Sequence, residues 1–229
     1  MAKKETILLS MGGSLVAPDK IDIEFLKSFQ KLLLHYTKHG KRFVLSVGGG
    51  STCRVYQDAA RVVAKPTLRE LDWLGIRVTA VNAELLKILF GVHAHRDVIS
   101  NPTAKITFKK SILLVAGWKP GCSTDMDAVL LAKNLGITKL ANLTNIDFVY
   151  DKDPRKWSDA KPIHHITWKE FRAILPKKWT PGLHSPFDPV ASRLAQKLDL
   201  QVTIMNGKNL ANLKKYFDGG DFVGTEIHP

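Results

Sequence analysis

The chain has 229 residues, with 34 Lys and Arg against 21 Asp and Glu, for a formal charge of +13. Apolar residues make up 45% and charged residues 24%, a globular balance that argues against disorder, collagen and coiled coil. Two cysteines, Cys53 and Cys122, exclude a disulfide framework and a Cys-rich zinc site and fit a reducing cytoplasm.

Thr6–Met11 is a short apolar run that ends at Gly12-Gly13, the pattern of a buried strand followed by a tight loop. Leu26, Phe29, Leu33 and Tyr36 recur at helical spacing within 23–39, and Gly40 stops that helix. A second strand, Arg42–Val47, runs into Gly48-Gly49-Gly50-Ser51. Helices are expected over 52–64 and 68–90, separated by Lys65-Pro66-Thr67. Residues 111–116 form the next strand, and a loop through Gly117 and Gly121 leads to Ser123-Thr124-Asp125, which has N-cap chemistry for a helix over 126–135. A strand over 138–143 follows, then a polar stretch over 147–160 broken by Pro154. Helices over 167–174 and 189–198, a strand over 201–205, a helix over 210–217 and an extended 222–227 complete the chain.

Alternating strands and helices predict one α/β domain over 1–229, a mostly parallel sheet with helices on both faces. Ligands in such sheets bind at the carboxyl ends of the strands. Glycines and hydroxyls gather at those ends here, at Gly12-Gly13-Ser14, at 48–51, at 117–124 and at Thr144-Asn145. Glycine lets backbone N–H groups approach phosphate oxygens, and a following helix adds its positive end. The motifs of P-loop nucleotidases, dinucleotide-binding domains, protein kinases and nucleophile-elbow hydrolases are missing. His93 with His95, and His164 with His165, lack the spacing of a helical zinc motif, so no metal role is expected from them. Cys53 and Cys122 read as small apolar residues instead of nucleophiles. The basic pairs Lys3-Lys4, Lys109-Lys110, Lys177-Lys178 and Lys214-Lys215 are scattered and carry no RNA-type aromatic motif, which argues against nucleic acid as a partner. The apolar runs are too short to span a membrane, and the first residues have no signal-peptide pattern.

The ordered set Gly12-Gly13-Ser14, 47–51 with Arg54, Asp72 in Asp-Trp-Leu-Gly, Ser123-Thr124-Asp125, Thr144 to Tyr150, Asp153-Pro154 and Gly224-Thr225 resembles the amino acid kinase superfamily. Within it the set is similar to uridylate (UMP) kinase of the archaeal type, over nearly the whole chain. The resemblance implies a three-layer α/β/α sandwich around a sheet of about eight strands. It implies an acceptor half over about 1–120 and an ATP half over about 121–229. The implied reaction is ATP and UMP giving ADP and UDP with Mg2+, in a hexamer built from dimers. Such phosphoryl transfer works by positioning and charge, without a covalent enzyme intermediate.

By resemblance, Gly12 and Gly13 lie under the transferring phosphate and, with Arg54, contact ATP, while Gly49 faces UMP and Gly50 faces ATP. Arg54, one helical turn past the second loop, has a guanidinium fork that suits phosphate oxygens. Asp72 is expected at the UMP ribose, and Trp118, Gly121, Ser123 and Thr124 around the UMP base and phosphate. Asp125 would organise the transfer centre, with Asp188 near it. Thr144, Asn145, Tyr150 and Asp153 match the ATP loop, with Tyr150 against adenine.

Three positions depart from the family pattern. Ser10 stands where many members have a lysine, Phe148 where a glycine is usual, and Trp118 where a small residue is usual. If Ser10 removes a cation, Arg54 is the first candidate to replace it and Arg193 the second. These departures keep open a non-catalytic nucleotide- or oxyanion-binding relative, of the kind seen in molybdenum storage protein. Isopentenyl phosphate kinase is disfavoured, because Arg54 occupies the neighbourhood where its members carry a histidine.

Overall fold

The computed structural model describes residues 5–154, 156–175 and 185–229; the pairs Lys3-Lys4 and Lys177-Lys178 lie outside them. Uninterrupted apolar runs make the central strands. β1 (Thr6–Met11) and β2 (Arg42–Val47) are buried at every position after the first. β3 (Ile112–Val115) is buried throughout, and β4 (Lys139–Thr144) at its four central positions. Strands covered on both faces must read this way. β5 (Val149–Tyr150) and β6 (Pro162–Ile163) form a separate antiparallel ribbon. β7 (His165–Thr167), β8 (Gln201–Asn206) and β9 (Thr225–His228) complete a sheet of order β3-β2-β1-β4-β8-β9-β7. Every neighbouring pair is parallel except β8 with β9.

The main sheet thus has seven strands among the described residues, not about eight. The ribbon is tied to it by a side chain: Thr225 Oγ1 accepts from Val149 N at 2.9 Å and donates to Ile163 O. Gly224-Thr225, part of the motif set, is therefore a structural clasp here. β5 falls in the polar segment 147–160 and β6 and β7 directly after it, and no strand is expected there from sequence.

The helices are α1 (Gly13–Val16), α2 (Ile23–Lys38), α3 (Gly50–Val63), α4 (Leu68–Phe90), α5 (Thr124–Leu135), α6 (Trp168–Ile174), α7 (Pro189–Lys197) and α8 (Leu210–Asp218). Alternation along the strands divides the core into two layers. Leu9, Met11, Phe43 and Leu45 pack with Phe29 and Leu33 of α2, Leu86 of α4 and Leu213 of α8. Leu8, Val44, Leu113 and Val115 face the other way, toward Val129 and Leu131 of α5, Trp168 of α6 and Ala191 of α7. The result is the expected α/β/α sandwich. Local chemistry sets the helix starts. Thr67 with Glu70 and Thr167 with Glu170 form capping boxes, and Ser123 caps α5 by accepting from Met126 N.

The ends of β1 and β2 meet as two glycine loops in backbone contact. A Cβ on Gly13 would lie 2.0 Å from Gly50 N, and one on Gly50 would lie 2.4 Å from Gly13 O. Gly50 also has φ +68°, where side chains are strained. Neighbouring groups hold the contact: Gly48 N donates to Met11 O at 2.9 Å, and Asn82 Nδ2 of α4 reaches Gly48 O at 2.9 Å and Gly49 O at 3.2 Å. Ser51 Oγ donates to Ala17 O at 2.8 Å.

Gly13→Ala should therefore cost about 3 kcal/mol or more in urea unfolding, because backbone must move to admit a methyl group. Gly136→Ala is the control. Its φ is +64° but nothing lies within 4 Å of its Cβ position, so only the local strain of about 1–2 kcal/mol is lost. Equal losses at the two positions would contradict a close-packed double loop.

Candidate active site

A cavity of about 400 Å³ opens over the two glycine loops. Gly12, Gly13, Gly48, Gly49 and Gly50 form its floor, with Arg54 of α3, Asp72 of α4, and Ser123, Thr124, Asp125 and Asp188 around it. A second cleft, of about 570 Å³, is lined by Thr144, Asn145, Phe148, Tyr150 and Asp153. Ser185 lines both, so the cavities adjoin. Gly49, Asp72, Ser123 and Thr124, expected for the acceptor, and Asp125 and Asp188, expected for the transfer centre, thus gather in the first cavity, while Thr144, Asn145, Tyr150 and Asp153, expected for ATP, line the second. Gly12, Gly13, Gly50 and Arg54, also expected to contact ATP, belong to the first.

Two expected acceptor residues, Trp118 and Gly121, stand apart from the cavity lining. They belong to the loop that follows β3, and that loop is suspended from three side chains. Thr79 Oγ1 accepts from Gly117 N at 2.7 Å, Asp127 Oδ2 from Trp118 N at 3.1 Å, and Asp72 Oδ2 from Gly121 N at 2.7 Å. Gly121, at φ +84°, makes the turn. The Trp118 ring carries the Lys119 Nζ at 3.9 Å from its centroid. Asp72 therefore lines the cavity and also holds the acceptor loop. Asp127 is fully buried, and sequence reasoning missed it. Its one signal was an acid directly ahead of the apolar stretch from Ala128 to Ala132, a position that a carboxylate seldom occupies without a partner.

Asp125 sits at the junction of the elements. Its Oδ1 accepts from Ser10 Oγ at 3.3 Å, and its Oδ2 from Asp188 N at 3.0 Å. Asp188 caps α7, accepting from Val190 N and Ala191 N. Ser10 is buried, so the position of the missing lysine points straight at Asp125. Burial, and next the nearby Asp188 carboxylate, push Asp125 up to about 7 against its hydrogen bonds to Asp188 N and Ser10. Burial likewise pushes Asp127 up to about 7, with Asp125 and Asp72 adding to it against the Trp118 hydrogen bond. Asp127 Oδ1 has no hydrogen-bond partner.

Among the described residues lining this cavity, Arg54 carries the only full positive charge, against Asp72, Asp125 and Asp188. Arg193 lies on the exposed face of α7, outside the lining, which removes it as a replacement cation. Cys53 and Cys122 are half-buried at the cavity wall, and burial pushes both thiols up, which keeps them protonated and poorly nucleophilic. Phe148 lies edge-on to His164, ring centroids 4.7 Å apart, on the wall of the second cleft. Asp199 is the one non-glycine residue with positive φ among the described residues, so Phe148 needs no glycine-like backbone. Its effect is on the shape of the cleft.

The chain as a whole is similar to known proteins. The family model described as the amino acid kinase family matches residues 5–206. A uridylate kinase of Methanobrevibacter smithii is 32% identical over 224 residues, covering 96% of this chain and 98% of the relative. One from Pyrococcus abyssi is 33% identical, covering 97% and 99%. The crystal structure of uridylate kinase from Archaeoglobus fulgidus superposes with a TM-score of 0.80 at 25% identity, covering 96% of this chain and 99% of that one. UMP kinase from Bacillus anthracis, at 18% identity and a TM-score of 0.78, shares the fold. With the match running through both glycine loops, Asp125 and the β4–β5 segment, the chain belongs to the amino acid kinase family.

Proposed function

We propose that the protein transfers the γ-phosphoryl group of ATP to UMP, giving ADP and UDP. The observation that carries this reading is the pair of adjoining cavities that share Ser185, one floored by Gly13 and Gly50 and holding Arg54, Asp72 and Thr124, the other holding Tyr150 and Asp153. Uridylate kinases at 32–33% identity over nearly the whole of both chains support the choice of acceptor. The first cavity, built mainly from the amino-terminal half, takes UMP, and the second takes ATP.

An oxygen of the UMP phosphate attacks the γ-phosphorus; the new P–O bond forms as the bond to the bridging oxygen of ADP breaks. Gly12, Gly13, Gly49 and Gly50 bring the backbone close to the phosphates. Arg54 supplies mobile positive charge, and Ser123 and Thr124 offer hydroxyl and N–H donors at the start of α5. Asp125 and Asp188 present hard carboxylate oxygens in a cavity with three acids and one cation among its described residues, a donor set that fits Mg2+. Held by those two carboxylates and the substrate phosphates, Mg2+ would neutralise charge on the phosphoryl group. Asp72 and Asp127 keep the acceptor loop in place over UMP.

A homo-oligomer fits the surface of α3. One residue of this helix, Ser51, is buried, while Val55, Tyr56, Val62 and Val63 face outward, with Val62 and Val63 86% and 87% exposed. Leu68, Trp73, Val81 and Ile88 extend the apolar surface along α4. Exposed apolar side chains on these two packed helices suit a contact between copies. The hexamer built from dimers extends that reading.

A coupled assay with ATP and Mg2+ should show turnover with UMP and at least tenfold lower kcat/KM with CMP, AMP or isopentenyl phosphate. Binding of nucleotide without turnover on any acceptor would support the non-catalytic reading instead. Arg54→Ala should lower turnover at least tenfold, about 1.4 kcal/mol of transition-state stabilisation, while Arg193→Ala leaves it unchanged. Loss in both variants, or in neither, would remove Arg54 from the transfer centre.

The buried acids give a pH signature. Asp125 and Asp127 are held near 7 in the folded chain, against 3.8 for an ordinary aspartate. Between these values the folded state binds more protons, so stability falls as pH rises from about 4 to about 7 and levels off above. Asp127→Asn keeps an acceptor for Trp118 N and removes one titrating group. Urea unfolding from pH 4 to pH 8 should show a shallower fall in the variant than in the wild type. Parallel curves would place the Asp127 carboxylate outside this linkage.

A further inference from the structure

At the edge of the main sheet, outside the lining of both cavities, three side chains converge without any role in phosphoryl transfer. β7 pairs with β9 in parallel, with His165 opposite Glu226 and Thr167 opposite His228. Glu226 and His228, two residues apart, project from the same face of β9, and the register puts His165 beside them. The three ligand-type atoms lie within 4.8 Å of one another. His165 Nδ1 is 3.4 Å from His228 Nε2 and 3.4 Å from Glu226 Oε2. The two imidazole rings stack at 5.7 Å between centroids, inclined by 23°.

We propose that His165, Glu226 and His228 form a binding site for one divalent borderline metal ion, with Zn2+ as its best fit. Tetrahedral zinc with bonds of about 2.0–2.1 Å places its ligand atoms about 3.3–3.4 Å apart. Two of the three separations here already have that length. Two imidazoles and one carboxylate with a fourth position left to water suit Zn2+, and the nitrogen donors disfavour Mg2+, which prefers an all-oxygen set. The carboxylate is held by a neighbouring group: Gln201 Nε2 of β8 donates to Glu226 Oε1 at 2.7 Å, which leaves Oε2 facing the histidines. Glu226 is also the least exposed of the ion pair, 23% against 68% for the His165 side chain. Such an ion would cross-link the edge strand β7 to β9, the two strands at the end of the sheet that are joined to each other by three register pairs. The histidine pattern was not visible in sequence, because the partners lie 63 positions apart.

The test is Zn2+ titration of the chelator-stripped full chain against a chromophoric competitor, with Co2+ substitution as a second readout. The expected result is one equivalent bound with micromolar or tighter affinity, visible bands of four-coordinate Co2+, and a higher melting temperature with Zn2+. Single variants His165→Ala, at an exposed position, and Glu226→Gln should each weaken binding at least tenfold, and His165→Ala with His228→Ala should abolish it. A wild type that binds no Zn2+ in this range would reduce the cluster to a hydrogen-bonded triad. Undiminished binding in the double variant, shown folded by circular dichroism, would place the ion at the carboxylates or cysteines of the catalytic cavity. Either result overturns the proposal.

Discussion

The backbone contact between Gly13 and Gly50 is the constraint on which the site depends. It brings the carboxyl ends of β1 and β2 so close that no side chain fits between them. The loops that leave those strands must then turn the same way and present their backbone to the same space. Central parallel strands make this possible, because their register aligns Ser10 with Ser46 and Met11 with Val47, so the loops begin level with one another. Asn82 of α4 and Ser51 of α3 complete the support through side-chain hydrogen bonds to Gly48 O, Gly49 O and Ala17 O. The result is a floor of peptide groups with room above it for phosphates.

The rim of the cavity sets a second condition, that of charge. Among the described residues, three carboxylates and one guanidinium line the cavity where two phosphorylated substrates would meet. Desolvation already resists ionisation of Asp125, and a nearby cation would relieve it. Where many family members bring a lysine, this chain has Ser10, which contributes a hydrogen bond without charge. Among the described lining residues, the positive charge then comes from Arg54. The departure at Ser10 therefore moves the burden of charge compensation without changing the scaffold. Asp127 belongs to the same economy of buried acids, but its work is mechanical: it fixes the start of the acceptor loop through Trp118 N.

Most of the scaffold was legible from sequence for a physical reason. β1, β2 and α4 have the bounds that the apolar periodicity and the breakers Gly40 and Pro66 imply. α5 starts two residues earlier than expected, because Ser123, not Asp125, is the cap, which frees Asp125 for the cavity. The ribbon and the edge strand escaped because strands of two or three half-exposed residues carry no period. In the site, motif order located the glycine loops, Arg54, Asp125 and the second cleft. It did not reveal that Asp72 also holds Gly121, that Trp118 stands aside from the cavity lining, or that Asp127 is buried beneath the loop, since each depends on contacts across 49 or fewer positions that no motif encodes. Arg193 shows the converse: close to Asp188 in sequence, it projects to solvent on the other side of α7.

The central claim is that two nucleotides sit at once in adjoining cavities and exchange a phosphoryl group directly across the glycine floor. A bisubstrate compound, with uridine and adenosine joined through a phosphate chain, tests it most directly. Inhibition kinetics should show competition with UMP and with ATP alike, and one molecule bound per chain. Competition with only one substrate, or two molecules bound per chain, would contradict a shared transfer centre between the two cavities.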